Sequence, residues 1–100
     1  MKVYLDDIRP CPKGWILTKT AQETIDLLEA GGVTSLSLDH DLGDEKEVGT
    51  GYDVLRWIET QVIYDNDNFK LPRSIKIHTA NPPARERMQS CLDSIKRMLE

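Results

Sequence analysis

Acidic and imidazole side chains follow short apolar stretches at three places in this sequence. The stretches read "VYL", "SLSL" and "SIKI". The polar residues after them are Asp6 and Asp7, then Asp39, His40 and Asp41, and finally His78, Thr79 and Asn81. His40 and His78 are the two histidines of the chain. Because carboxylates bind cations and imidazoles exchange protons near neutral pH, these are the places where the sequence could do chemistry.

Four of these carboxylates need compensation if they lie close together. Ionised acids at short range repel one another, so such a cluster must take up protons, bind a cation or stay well separated. A site built from oxygen ligands suits Mg²⁺ or Mn²⁺, with water and substrate phosphate completing the shell. We therefore expect a shared divalent-cation site, and its candidate ligands are Asp6, Asp7, Asp39 and Asp41. The alternative is that one acid of the first pair caps a turn and Asp41 is solvated.

The histidines are candidates for proton transfer, since the ordinary pKa of histidine lies close to neutrality. We predict that His40, His78 and Asp39 are the catalytic residues. In the alternative interpretation each histidine is structural, and an extended backbone would then turn His40 away from the two acids beside it. Which histidine would act as the acid and which as the base stays open.

Four further residues are candidates for binding a phosphate group. Arg9 and Arg85 carry guanidinium groups, whose planar fork matches phosphate oxygens. Asn81 stands at a predicted helix start, where backbone N–H groups and the helix dipole suit an anion. Thr79 supplies a hydroxyl beside it. The plain alternatives are that Asn81 caps the helix and that Arg85 is an exposed helix residue.

Apolar periodicity predicts strands and helices in alternation, which is typical of a mostly parallel sheet flanked by helices. The carboxyl ends of parallel strands share one rim, where open α/β sheets bind ligands, so the polar groups should converge there. The "WILT" segment is a short strand whose connection to the first strand is too short for an ordinary parallel crossover. We expect it to be an antiparallel or irregular edge segment. Residues 43–51 read as a polar loop, either a lid over the rim or a surface connection.

Length and composition limit the function further. One hundred residues with 39% hydrophobic types suit one domain over residues 1–100. A net charge of −4 weighs against binding an extended nucleic acid. No apolar run approaches the roughly 20 residues that a membrane span needs. Two cysteines in unlike contexts and no signal peptide at the start favour reduced thiols in a cytoplasmic protein. Oligomeric state is not predicted.

Five motifs occur in a fixed order: "LDDIRP", "GW", "LSLDHDLG", "GTGYDV" and "HTANPP". Together they resemble the cyclic-phosphate-processing receiver domains, which are small relatives of the response-regulator receiver domain. The resemblance covers nearly the whole chain and implies a truncated, flavodoxin-like, three-layer α/β fold. It also implies that the Mg²⁺ ligands of ordinary receivers correspond to Asp6, Asp7 and Asp39. The hydroxyl residue after the fourth receiver strand would correspond to Thr79, or be displaced by His78.

The function that this resemblance implies is hydrolysis of a cyclic phosphate of a nucleotide or an ADP-ribose derivative, with a divalent cation. The partner is then a small molecule, and a version that uses the histidines without metal stays open. The chain lacks the lysine-bearing fifth strand of ordinary receivers, which weighs against phospho-aspartate signalling. Two alternatives remain, a binding module that sequesters a cyclic nucleotide and a receiver-type domain phosphorylated on Asp39.

Overall fold

Short strands and helices alternate along the chain. The computed structural model describes residues 1–65 and 67–100. Within these residues the strands are β1 (Lys2–Leu5), β2 (Ile16–Thr18), β3 (Ser35–Leu38) and β4 (Ser74–Ile77). The helices are α1 (Ala21–Ala30), α2 (Glu45–Val48), α3 (Gly51–Tyr64) and α4 (Pro82–Met98). The sequence predicts a turn region between α3 and β4, and one of its residues, Asn66, lies outside the described residues.

The strands form one parallel sheet in the order β2-β1-β3-β4. In this sheet Leu5 pairs with Leu38, and Leu38 pairs with Ile77. The last residues of β1, β3 and β4 therefore lie side by side, and the residues that follow them meet at one rim. This arrangement confirms the predicted receiver-like α/β class with a parallel sheet flanked by helices.

The "WILT" segment differs from its prediction, because β2 pairs with β1 in parallel. It is an edge strand, as expected, but it is neither antiparallel nor irregular. The connection, residues 6–15, contains no helix; it bends where the Trp15 N–H donates to the Pro12 carbonyl at 3.1 Å. Ten residues can extend about 33 Å, which is ample to return past so short a strand. Parallel crossovers are usually longer because they contain a helix, and this crossover contains none.

The polar segment 43–51 is only partly a loop, since α2 lies inside it. Asp44 caps this helix by accepting the Lys46 N–H at 3.0 Å, and Gly49 ends it with φ 72°. None of its residues is buried. A one-turn helix without an apolar stripe leaves no periodic signal in the sequence, which is why it was not predicted. The role of the segment as a lid stays a prediction.

The core lies between the sheet and the longer helices. The strand side chains Val3, Leu5, Leu36 and Leu38 are fully buried. The buried apolar residues of α3 are Val54, Leu55, Ile58 and Val62, and those of α4 include Met88, Cys91, Leu92 and Ile95. Apolar residues at helical spacing predict a buried face that runs from Met88 to Leu99, but the buried face ends at Ile95: the helix continues to Met98, and Met98 and Leu99 are exposed. No helix in the described part of the chain combines the length and apolarity that a bilayer span requires.

Candidate functional site

The residues that follow β1, β3 and β4 converge on the carboxyl rim of the sheet, as the sequence predicts. The ladder continues past the strand ends: the Asp39 N–H donates to the Leu5 carbonyl at 3.0 Å, and the His78 N–H donates to the Leu38 carbonyl at 2.9 Å. These bonds extend the strand register beyond the strand ends to the polar residues. Side chains from positions 6, 39 and 78 are therefore neighbours, although up to 72 residues separate them in the chain.

Asp6 is the most enclosed acid of the rim, with a side chain that is 0% exposed. One oxygen, Oδ1, accepts the backbone N–H groups of Ile8 and Arg9, each at 2.9 Å. The other, Oδ2, accepts Arg9 Nη1 and His78 Nε2, also at 2.9 Å. Burial alone would raise the pKa of Asp6, but the backbone and side-chain hydrogen bonds outweigh it and lower the pKa to about 2. Asp6 is thus an ionised carboxylate at neutral pH.

His78 is held on three sides. Its Nε2 bonds to Asp6, its Nδ1 lies 2.7 Å from Ser37 Oγ, and its ring stacks on Tyr4 with centroids 4.5 Å apart. Because a carboxylate only accepts, Nε2 carries a hydrogen, and in the neutral ring Nδ1 accepts from the Ser37 hydroxyl. Ser37 and Tyr4 were not predicted as site residues. Strand alternation was the available signal, since it places both on the face that Asp6 shares.

Arg9 bridges two acids of the rim. Its Nη1 lies 2.9 Å from Asp6 Oδ2 and 3.3 Å from Asp39 Oδ2. The other oxygen of Asp39 accepts the His40 N–H at 2.8 Å. The sequence predicts that Arg9 binds phosphate, and this stays a prediction; in the structure its guanidinium contacts two carboxylates. Its side chain remains 41% exposed, so it borders both the acids and the solvent.

His40 forms a second histidine–aspartate pair. Its Nδ1 lies 2.8 Å from Asp41 Oδ1, and Asp41 Oδ2 accepts Asn81 Nδ2 at 3.3 Å. The bond from His40 lowers the pKa of Asp41; burial opposes this effect and the Asn81 bond adds to it. His40 is enclosed, with a side chain 5% exposed, whereas Asp41 is 60% exposed. Because Asp41 accepts at Nδ1, Nε2 is the proton-accepting nitrogen of the neutral His40 ring.

The start of α4 offers fewer anion-binding groups than the sequence suggests. Its first two residues are prolines, which have no backbone N–H. Asn81 Oδ1 accepts the Ala84 N–H at 3.2 Å, and the Asn81 carbonyl accepts the Arg85 N–H at 2.9 Å. The Arg85 guanidinium donates to the Thr79 carbonyl. Asn81 therefore acts as a helix cap, and the structure uses the N–H groups that were expected to bind phosphate.

The start of α3 fixes the backbone between the two histidine–aspartate pairs. Thr50 and Asp53 form a capping box, and the Gly51 N–H donates to the His40 carbonyl at 3.3 Å. A Cβ at Gly51 would lie 1.9 Å from the Asp39 carbonyl oxygen. The helix can approach Asp39 this closely because residue 51 has no side chain. The "GTG" motif is therefore part of the framework that positions the site.

A cavity of about 290 Å³ opens at this rim. Its wall is formed by Asp7, Ile8, Arg9, Asp39, Asp41, Thr79 and Ala80. Neither histidine lines the wall, but the His40–Asp41 pair reaches it through Asp41, and the His78–Asp6 pair reaches it through Arg9. A larger cavity of about 380 Å³ lies near Gly31, Gly32 and Val33, before β3 begins. The smaller cavity is the better candidate site because the cluster of acids, imidazoles and arginine adjoins it.

A sequence model of the cyclic-phosphate processing receiver domain matches residues 1–94. The chain belongs to this family. The match includes every segment that contributes to the rim, and it confirms the resemblance that the five motifs indicate. Comparisons with curated proteins and with solved structures give no match.

A metal of the kind that receiver domains bind has a suitable donor set in this member of the family. Asp6, Asp7 and Asp39 each place one carboxylate oxygen so that the three lie within 4.8 Å of one another. Oxygen donors in this number suit Mg²⁺ or Mn²⁺. Among the described residues this group does not extend to Asp41, which the sequence proposed as a fourth ligand and which bonds to His40 and Asn81 instead.

Proposed function

We propose that this receiver domain is a hydrolase that opens a small cyclic phosphate derived from a nucleotide or ADP-ribose. One observation supports the proposal above the others. Two histidine–aspartate pairs, His78–Asp6 and His40–Asp41, come from different strand ends, and they reach one cavity through Arg9 and through Asp41 respectively. Opening a cyclic phosphodiester requires one proton to be removed from water and one to be given to the leaving oxygen. Two separately held imidazoles are suited to those two tasks.

The cavity also limits the substrate. Its volume of about 290 Å³ suits a small ligand better than a polymer. Three carboxylates in its wall repel a phosphate group, so the ligand needs positive charge from the site. Arg9 can donate a planar pair of N–H groups to phosphate. A divalent cation on Asp6, Asp7 and Asp39 would offset the remaining negative charge, polarise a phosphoryl oxygen and lower the pKa of bound water.

Arg9 and Thr79 orient the phosphate in the proposed reaction. The Thr79 hydroxyl accepts the Asn81 N–H at 3.2 Å, which leaves its own hydrogen available to a phosphoryl oxygen. Water attacks phosphorus and gives a proton to the His40–Asp41 pair, whose Nε2 is the accepting nitrogen. The bond from phosphorus to one sugar oxygen breaks, and that oxygen takes a proton from His78, which enters the step as the imidazolium cation beside Asp6 and leaves it neutral. Water is thereby added across one phosphodiester bond.

The second candidate function is a binding module that holds a cyclic phosphate without cleaving it. The observation in its favour is that both ring nitrogens of His78 bond to protein groups and that neither histidine lines the cavity wall. On this alternative the histidines position the acids around a ligand. The two functions differ in product formation, since a binding module returns its ligand intact after denaturation.

Turnover of a defined panel tests the proposal. The panel contains nucleoside 2′,3′-cyclic phosphates, ADP-ribose 1″,2″-cyclic phosphate and cyclic dinucleotides, each with Mg²⁺, Mn²⁺ or EDTA, followed by phosphorus NMR. We expect one class to give a ring-opened monoester. His40→Ala and His78→Ala should each lower that turnover at least about 100-fold. Asp93→Asn, which changes an acid on the exposed face of α4, is the control and should retain it.

The same panel can overturn the proposal. If the wild-type protein binds one of these compounds and releases it unchanged after denaturation, the protein is the binding module. If a compound is cleaved equally well by the wild type and by both histidine variants, the assignment of the site is wrong. Activity that survives EDTA would favour the version in which the side chains act without a metal.

A further inference from the structure

Arg9 occupies the position between two of the three acids that suit a metal. Its Nη1 contacts Asp6 Oδ2 at 2.9 Å and Asp39 Oδ2 at 3.3 Å. The donor set formed by Asp6, Asp7 and Asp39 therefore already has a cation of its own. A divalent ion and this guanidinium compete for the same two carboxylates.

The hydrogen bonds of Asp6 show which of its donors a metal ion would displace. Asp6 accepts four donors: the Ile8 N–H, the Arg9 N–H, Arg9 Nη1 and His78 Nε2. A carboxylate offers about four acceptor positions, so a metal ligand bond displaces one of them. The backbone donors are fixed by the turn, and His78 is held by Ser37 and the Tyr4 ring. The Arg9 guanidinium is on the most exposed of the side chains involved, and it can turn towards solvent.

The distance between a metal ion on Asp6 and the Arg9 guanidinium also indicates that the two exclude each other. Mg²⁺ binds carboxylate oxygen at about 2.1 Å. With Nη1 2.9 Å from Asp6 Oδ2, an ion on that oxygen would lie no more than about 5 Å from the guanidinium nitrogen. Two positive charges that close, above a largely buried acid, repel strongly. Binding of the metal and the present contact of Arg9 are therefore mutually unfavourable.

We propose that Arg9 and a divalent cation occupy the Asp6–Asp39 pair in alternation, and that metal binding releases the Arg9 guanidinium into the rim cavity. Arg9 already lines this cavity. Once released, its N–H groups are free to bind an anion there. Metal and phosphate then favour each other's binding, by the same factor in both directions. The metal part stands without the proposed function, whereas the phosphate part rests on it.

Metal affinity in charge variants tests the first part. Mn²⁺ binding is followed by electron paramagnetic resonance of the free ion, with the whole chain and no substrate. Arg9→Gln removes the competing charge, and we expect it to bind Mn²⁺ about tenfold more tightly than the wild type. Arg9→Lys keeps the charge and should stay close to the wild type. Arg85→Gln removes a charge that bonds to the Thr79 carbonyl, and its affinity should change less than about threefold.

Two results in the variants would overturn this part. One is an Arg9→Gln protein that is folded by circular dichroism and binds Mn²⁺ no better than the wild type. The other is an equal gain in Arg85→Gln, which would mean that general charge, not the contact, sets the affinity. A measurement on the wild type does not depend on the variants folding. Adding Mg²⁺ should change the Arg9 side-chain N–H signals in NMR from slow to fast rotation, and unchanged signals also contradict alternation.

Inorganic phosphate tests the second part. Calorimetry should show that Mg²⁺ raises phosphate affinity in the wild type and does so much less in Arg9→Gln. If Arg9→Gln shows the full enhancement, Arg9 does not bind the phosphate and this part fails. Failure of the cyclic-phosphate panel would leave the Mn²⁺ result unaffected, so the proposed function and the alternation can be rejected separately.

Discussion

The two histidine–aspartate pairs of the rim use the same residue types and are held very differently. In the inner pair, His78–Asp6, the acid is fully buried and the imidazole bonds at both nitrogens. In the outer pair, His40–Asp41, the imidazole is enclosed and the acid is 60% exposed. The inner pair is thus part of the packing of the rim, while the outer pair presents its carboxylate to the cavity. Removing the acid should therefore affect mainly stability in the inner pair and mainly turnover in the outer one.

The largest expected effect on stability comes from the inner acid. Asp6→Ala leaves His78 and Arg9 facing a buried gap, and breaking a buried charged pair costs about 3 kcal/mol. Urea unfolding of the variant should show this loss in the free energy of unfolding. Asp7→Ala is the matched control, since it removes the adjacent, partly exposed acid and should cost less than about 1 kcal/mol. Equal losses in the two variants would contradict the structural role assigned to the buried Asp6.

A smaller loss of stability is expected at Gly51, where α3 packs against the backbone of the rim. Gly51→Ala places a methyl group 1.9 Å from the Asp39 carbonyl oxygen, so the backbone between the pairs must move. Overpacking of this kind costs about 1–3 kcal/mol. Chemical shifts of the Asp39 and His40 amides should change together in this variant. Gly14→Ala is a useful contrast, because a Cβ there meets no atom within 4 Å and the loss should come from its positive φ alone. Unchanged Asp39 and His40 shifts in Gly51→Ala would contradict the proposed framework.

Acid should weaken the wild type through the inner pair. The folded-state pKa of Asp6 is about 2 against an ordinary 3.8, so the folded chain binds this proton less readily than the unfolded chain. The stability that ionised Asp6 contributes is present above about pH 4 and is lost as the pH falls from 4 towards 2. Melting temperature measured over this range should fall more steeply in the wild type than in Asp6→Asn. Parallel curves would show that Asp6 does not titrate in this way.

The smallest effect on stability should come from the outer acid. Asp41→Ala removes a mostly exposed carboxylate, and such pairs contribute less than about 1 kcal/mol. If the outer pair takes the proton from water, the same variant should lose about 100-fold in turnover of any cyclic phosphate that the wild type opens. Melting curves and phosphorus NMR on one preparation measure both quantities. A variant that keeps its turnover would assign the outer pair to structure as well.

The sequence was sufficient to predict which residues lie at the common rim of the sheet. Apolar stretches of strand length, each followed by polar residues, placed Asp6, Asp39 and His78 at strand ends, and parallel register makes such ends adjacent. The sequence was less informative about which side chains bond to one another at this rim. Nothing in "DDIRP" indicates that Arg9 turns back onto Asp6 and Asp39, because that contact depends on how the loop after β1 bends. The expected anion site at the start of α4 stays a prediction, and the sequence did not show that Asn81 would accept the Ala84 N–H behind two prolines that have no N–H group.

What the sequence determined by itself was the family, the alternation of strands and helices, and the set of chemical groups at the rim. These follow from residue types and short-range periodicity, which the chain carries wherever it folds. The tertiary structure alone decided the pairing: His78 with Asp6, His40 with Asp41, and Arg9 between Asp6 and Asp39. The reason is geometric, because side-chain partners are selected at the scale of 3 Å, and that distance is set by strand register and by the close approach of α3 at Gly51.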